Sequence, residues 1–185
     1  MVIDFLIKRF NENNKKVAII WKEQKFNYEW LVRKYRYWLK KLDESSIRPG
    51  QVVIIQADFT PNSVALLLAL IELRAIIVPI TESVIDKKDE FIKISKGEIL
   101  IEISSNDIVS INEISNNSKV DIYEQLRNKN RPGLVLFSSG STGDSKASVH
   151  DLTFLLKKFE QKRHTLTAIT FLLYDHIGGF NTLLY

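Results

Sequence analysis

Leu134-Val135-Leu136-Phe137-Ser138-Ser139-Gly140-Ser141-Thr142-Gly143-Asp144-Ser145-Lys146 runs from an apolar stretch into hydroxyls and glycines closed by a lysine. A short continuous apolar run bounded by turn formers reads as a buried strand. Arg131-Pro132-Gly133 breaks the chain just before it. Glycines let the backbone approach a ligand closely and take positive φ. Freed N–H groups and hydroxyls donate to phosphate oxygens, and an ammonium adds a point charge. A strand emptying into such a segment is therefore suited to polyphosphate. Ser/Gly-rich surface turns share this composition, so the surrounding chain has to decide.

The segment is not the common nucleotide loop, because G-x-x-x-x-G-K-[ST] needs Gly at Ser145 and Ser or Thr at Ala147. No G-x-G-x-x-G dinucleotide fingerprint is present, and G-x-S-x-G finds no register.

Working outward, Val52-Val53-Ile54-Ile55 reads as a strand covered on both faces. Thr60-Pro61 then opens a helix, with Thr60 as N-cap and Pro61 at the first helical position. That helix reaches about Leu73 and feeds a strand from Ala75 to Ile80, a βαβ unit with a parallel pair. A helix from about Tyr28 to Leu42 carries Leu31, Tyr35, Trp38 and Leu42 on one stripe, with Arg33, Arg36, Lys40 and Lys41 opposite. Val17 to Ile20 reads as a strand after a short helix and a polar turn. Residues 81–130 are polar and less orderly, with strands expected at Ile99–Ile103 and Ile108–Ile111 and a short helix at Asp121–Asn128. A helix is expected over Leu152–Lys162 and a strand over Leu166–Leu173. The fold class is α/β, with a mostly parallel sheet and flanking helices.

Composition narrows the function classes. With 185 residues the chain can build a real core, and 45% hydrophobic with 26% charged residues is ordinary for a soluble protein. The net charge of +4 could help attract a nucleotide but does not call for nucleic acid. The basic, aromatic run Arg33–Lys41 is better explained as one solvated helix face. Without cysteine there is no disulfide, thiolate metal site or thiol nucleophile. The longest apolar run, Val64–Ile71, falls far short of the ~18 residues of a membrane span. The first residues carry no secretion signal, so a cytoplasmic location is expected.

Phe137-Ser138-Ser139-Gly140-Ser141-Thr142-Gly143-Asp144-Ser145-Lys146-Ala147 resembles the phosphate loop T/S-S-G-S/T-T-G-x-P-K-G of the adenylate-forming (AMP-binding) enzymes, which include acyl-CoA synthetases and adenylation domains. Ser145 departs from the proline and Ala147 from the glycine, and neither change removes a phosphate-binding group. Three further segments resemble the family in order: Lys25–Leu31 its L-[ST]-Y-x-E-L element, Leu70–Ile80 its K-A-G-A-x-Y-V-P-[IL] element, and Thr170–Asn181 its P-x-F-H/D-x-x-G segment.

The resemblance implies a partial N-terminal domain of an acyl-adenylate-forming synthetase, read as one α/β unit over 1–185 with a sub-boundary near residue 130. It implies activation of a small-molecule carboxylic acid by ATP as acyl-AMP, then transfer to a thiol of coenzyme A or a carrier protein. Mg²⁺ is expected with ATP, held mainly through phosphates and water, with no protein metal site. Ser139, Ser141 and Thr142 would offer hydroxyls to the β- and γ-phosphates, Gly140 and Gly143 backbone freedom, and Ser138 belongs to the same phosphate-binding set. Lys146 would reach phosphate, the alternative being an exposed lysine after a loop. The acid pocket would involve Tyr174, Asp175, His176, Gly178 and Gly179. His176 is otherwise a helix-start histidine. Asp175 is either a contact for a substrate amine, as in amino-acid-activating relatives, or an N-cap of the next helix.

The run Phe171–Tyr174 leans toward a fatty or aryl acid. Sequence after Tyr185 that would supply the ribose contact, the hinge, the C-terminal lid domain and its lysine is not part of this chain, so acyl-AMP formation by these residues alone is not expected. The alternative class is a non-catalytic nucleotide-binding module, or one that forms a homo-oligomer through exposed sheet edges.

Overall fold

Strand β3 (Val52–Gln56) and strand β4 (Ile76–Ile80) are apolar at nearly every position because helices cover both of their faces. They pair in parallel, Val52 opposite Ile76 through Gln56 opposite Ile80. The computed structural model describes residues 2–114, 120–139, 145–161 and 167–184. The helix joining β3 to β4, α3 (Pro61–Leu73), is buried from Pro61 to Ile71. Its start is a capping box: the Thr60 hydroxyl accepts the Ser63 N–H, and the Ser63 hydroxyl accepts the Thr60 N–H. Pro61 sits where no N–H is needed. Arg74 ends the helix in the left-handed region, at φ 63°.

Among the described residues the main sheet has the order β6-β5-β3-β4-β7-β8. Its centre is parallel: β5 (Ile99–Ile103) joins β3, and β7 (Gly133–Ser139) joins β4. Its margins are antiparallel, with β6 (Val109–Glu113) on β5 and β8 (Ser145–Asp151) on β7. The expectation of a mostly parallel sheet is thus corrected to a mixed one.

Side-chain alternation sorts the core into two layers. Val53, Ile55, Ile77 and Leu134 face α3, α1 (Asp4–Glu12), α2 (Tyr28–Glu44), α6 (Leu152–Glu160) and α7 (Ile177–Leu184). Val52, Ile54, Ile76 and Val135 face α4 (Lys88–Ser95) and α5 (Asp121–Asn128) through Phe91, Tyr123 and Leu126. The α2 stripe of Leu31, Tyr35, Trp38 and Leu42 is buried, and the Trp38 indole donates to Asn62 Oδ1 of α3 at 2.7 Å.

The remaining expectations have mixed outcomes. Val17–Ile20 is a strand as expected, and β1 (Val17–Trp21) pairs with β2 (Gln24–Asn27) in a separate two-stranded sheet among the described residues, through a turn whose residues Lys22 and Glu23 have φ 47° and 65°. Both positive φ values fit the hairpin turn that usually advertises itself with Asn-Gly. The disorderly region contains a 3₁₀ turn, Glu82–Lys87, running into α4. Residues 167–173 form no strand, and Ile169 and Phe171 are 88% and 81% exposed. Their β-forming composition finds no strand partner among the described residues.

The pairing of β4 with β7 covers only Ile76–Gly133 and Ile77–Leu134, although β4 continues to Ile80 and β7 to Ser139. The two strands separate toward their carboxyl ends.

Candidate functional site

In open α/β sheets the carboxyl ends of the parallel strands are where ligands gather, at the point where successive connections leave toward opposite faces. Here β3 leads into α3 on one face, and β4 leads through the 3₁₀ turn into α4 on the other. The carboxyl-end margin of these two strands is formed by Ala57 and Asp58 after β3 and by Thr81, Glu82 and Ser83 after β4. Asp58 Oδ1 accepts the Glu82 N–H at 3.1 Å and ties the two rims together.

The chain returns to this edge at 174–176. Tyr174 is completely buried, its hydroxyl donates to the Ala57 carbonyl at 2.6 Å, and its ring meets Phe59 edge-on at 4.8 Å. Burial, foremost, raises the phenol pKa well above its ordinary value. Tyr174 therefore fastens the segment to the sheet.

Asp175 follows, only 7% exposed. Its Oδ2 accepts the Thr81 hydroxyl at 2.8 Å and, at longer range, the Ser83 hydroxyl at 3.4 Å. Its Oδ1 is buried with no hydrogen-bond partner among the described residues. Gln56 Oε1, on the last residue of β3, is buried in the same condition. Unpartnered buried oxygens carry a desolvation cost unless water or a ligand reaches them.

Asp175 is not the N-cap of α7, because Phe180 N–H bonds to the His176 carbonyl and the cap position belongs to His176. The His176 side chain is 57% exposed, with Nε2 3.9 Å from Asp175 Oδ2. Gly179 is required where it stands: a Cβ there would lie 2.0 Å from the Leu173 carbonyl oxygen. Gly178 is looser, with the Leu172 side chain 3.0 Å from such a Cβ. Phe171, the first residue of the run read as leaning toward a fatty or aryl acid, is 81% exposed.

The second part of the site lies at the end of the β7–β8 pair. Ser138 is opposite Lys146, and Ser139 opposite Ser145. Directly opposed residues share a face with Cβ atoms about 5 Å apart. Ser138 and Lys146 are both exposed and, by alternation from Leu134 and Leu136, lie on the α6–α7 side. Gly140, Ser141, Thr142 and Gly143 lie outside the described residues, as does the side chain of Ser139. Lys146 was expected in a loop and instead stands second in an edge strand.

On the opposite face, Glu90 of α4 accepts the Ser145 N–H at 3.0 Å. Hydrogen bonding from Ser145 holds that carboxyl below the usual carboxylate range. Beside it, Phe91 stacks on Phe137 of β7 with ring centres 3.8 Å apart.

The sequence reading missed Asp58, Thr81, Ser83 and Glu90. The first three were findable, since each lies within three residues of the carboxyl end of a strand. Glu90 carried no such signal. Among the described residues no cluster of metal-ligating side chains occurs, and no helix is long and apolar enough to cross a membrane.

The architecture has clear counterparts among solved structures. The Klebsiella oxytoca NpsA N-terminal subdomain, in complex with 3-hydroxyanthranilyl-AMSN, superposes with a TM-score of 0.59 at 21% identity, over 80% of this chain and 39% of that one. The o-succinylbenzoate CoA synthetase MenE from Bacillus subtilis, in complex with its acyl-adenylate intermediate OSB-AMP, gives 0.66 at 16% identity, over 97% and 52%. VinN gives 0.64 at 14% identity, over 86% and 48%. No protein-family model and no curated protein matches the sequence. The chain shares the fold of these structures, an α/β unit with a mixed sheet and flanking helices that matches the NpsA N-terminal subdomain. This chain spans about two-fifths to one-half of the length of those structures.

Proposed function

We propose that this fold unit binds the phosphates of ATP at the end of the β7–β8 pair and takes part in activating a carboxylic acid as an acyl-adenylate. The observation that carries this reading is the register of Ser138 against Lys146, which puts a hydroxyl and an ammonium side by side where the Gly/Ser/Thr segment leaves and re-enters the sheet. Two anions must meet in such a reaction, so donors and cations around the phosphates lower the barrier. Ser138, Ser139, Gly140, Ser141, Thr142, Gly143 and Lys146 would serve the phosphates. Bound ATP, arriving with Mg²⁺, would supply the electrophilic phosphorus.

The acid would lie toward Asp175, His176, Gly178 and Gly179, with Tyr174 fastening that segment. The unpartnered Asp175 Oδ1 beside His176 favours a polar contact at this end of the pocket. Transfer to coenzyme A or a carrier-protein thiol is the later step this reading anticipates.

Calorimetric titration with MgATP tests the phosphate site. Wild-type binding that weakens at least about tenfold in Lys146→Ala supports it, and equal binding by both removes it. Pyrophosphate exchange with a panel of acids is expected to show no turnover by this chain alone.

A second reading is favoured by the exposure of Ile169 and Phe171 and by β8, the last strand of the sheet, which has no outer partner among the described residues. Such an edge supports self-association by strand pairing. Sedimentation of wild type against Phe171→Ser separates this reading from the first.

A further inference from the structure

We propose that Glu90 is a positioning residue for the phosphate segment, a peg that fixes the point where the chain returns to the sheet. The inference rests on the phosphate-binding reading above. Ser145 is the first residue of β8, and its backbone N–H is spent on the Glu90 carboxylate instead of a neighbouring strand. The same turn of α4 grips the other stem, where Phe91 lies flat on Phe137. One short helix thus holds both strands bordering the segment, from the face opposite Ser138 and Lys146.

The arrangement has a chemical logic specific to this sequence. A serine at the return point has an N–H and a free φ, where a proline would have neither. A carboxylate acceptor restores the restraint from outside the strand. A hydrogen bond to an ionised acceptor is stronger than a neutral one, and Ser145 is only 8% exposed. Lys87, one turn earlier, also favours the charged form of Glu90. The carboxylate acts through Ser145 and does not itself touch the phosphate face.

This separates hydrogen-bond acceptance from charge and makes the bond replaceable. Glu90→Ala removes the acceptor, and Glu90→Gln keeps an acceptor without the charge. Ser145→Pro removes the donor and supplies a fixed φ at a strand's first position, where proline is tolerated. The experiment measures the Kd for MgATP by calorimetry across these variants and the double variant Glu90→Ala/Ser145→Pro. Amide exchange at Ser145 is followed by NMR in wild type and both Glu90 variants.

Glu90→Ala is expected to weaken MgATP about tenfold and to speed Ser145 exchange at least as much. Glu90→Gln, which keeps a weaker neutral acceptor, should fall between Glu90→Ala and wild type, about threefold weaker than wild type. In the Ser145→Pro background, Glu90→Ala should have no further effect on Kd, a result that general loss of stability would not give. An unchanged Kd in Glu90→Ala overturns the inference alone, as does a Glu90→Gln that behaves like Glu90→Ala, or a double variant weaker than Ser145→Pro. Unchanged Ser145 exchange overturns the peg even where the Kd moves. No MgATP binding by wild type overturns the phosphate reading and this inference with it.

Discussion

The β3–α3–β4 unit and the 171–179 segment lie against each other and are held by opposite means. The first is an apolar mass: Ala65 to Ile71 are essentially without exposure, and every position of β4 is buried. The second leaves Phe171 in solvent and is secured by single polar contacts, Tyr174 to Ala57 and Asp175 to Thr81, and by one glycine against a carbonyl. Hydrophobic burial is additive and tolerant of small errors, whereas a few directional bonds fix a segment's position with little mass behind them. A scaffold and a site can thus be a few residues apart and still differ in what a substitution does to them.

The contrast can be broken most forcefully from the scaffold side. Leu67 is fully buried in α3, and Leu67→Ala should cost about 3–4 kcal/mol of global stability in urea unfolding. A loss below 1 kcal/mol would mean the core is not packed as described. Gly179→Ala tests the other side: its Cβ would lie 2.0 and 2.2 Å from two carbonyl oxygens, so about 2–3 kcal/mol should be lost. That loss should appear chiefly as faster amide exchange over 172–180, with the β3–β4 amides still protected. Equal loss of protection in both regions would erase the distinction.

Tyr174→Phe isolates one bond. It leaves the Ala57 carbonyl buried without its donor and should cost about 1–2 kcal/mol in thermal or urea unfolding. The smallest effect belongs to a surface pair. The Lys88 ammonium, 2.8 Å away, is the main cause holding the Glu102 carboxyl below its ordinary 4.5. Folding lowers this pKa, so the stabilisation is fully present above about pH 4.5 and fades as pH falls through the lower folded-state value. Both groups are partly exposed, so the effect should stay below about 1 kcal/mol. The acid limb of the stability curve in Glu102→Gln, compared with wild type, should lose that increment and no other.

The same contrast governs what could be read from the amino acids. The β3–α3–β4 unit, with Thr60 and Pro61 at the start of α3, was legible because burial and capping write themselves into residue type. So were the α2 stripe and the limits of α5. The β8 strand was not, because Ser145-Lys146-Ala147-Ser148-Val149-His150-Asp151 lies at an exposed margin and needs no apolar alternation. Conversely, Thr167–Leu173 has strand-forming residues and no partner, and propensity without pairing does not make a strand. The β1–β2 turn was hidden because Lys22 and Glu23 take a conformation usually given to Asn or Gly. In the candidate site, Asp175 and His176 were legible as residue types. The Thr81 and Ser83 hydroxyls that orient Asp175 depend on a contact between positions over ninety residues apart.

The separation of β4 from β7 has a covalent origin. Within β4, Ile76 N–H reaches Gln51 and the Ile80 carbonyl accepts from Ala57, so even-numbered residues address β3. The Ala75 carbonyl accepts from Gly133, so odd-numbered residues address β7. Pro79 is odd, and its nitrogen turns toward β7 with no hydrogen to give. Backbone pairing cannot zip the two strands shut at that height. The backbone ladder between β4 and β7 is therefore confined to the Ile76–Ile77 end, with no bond donated at Pro79.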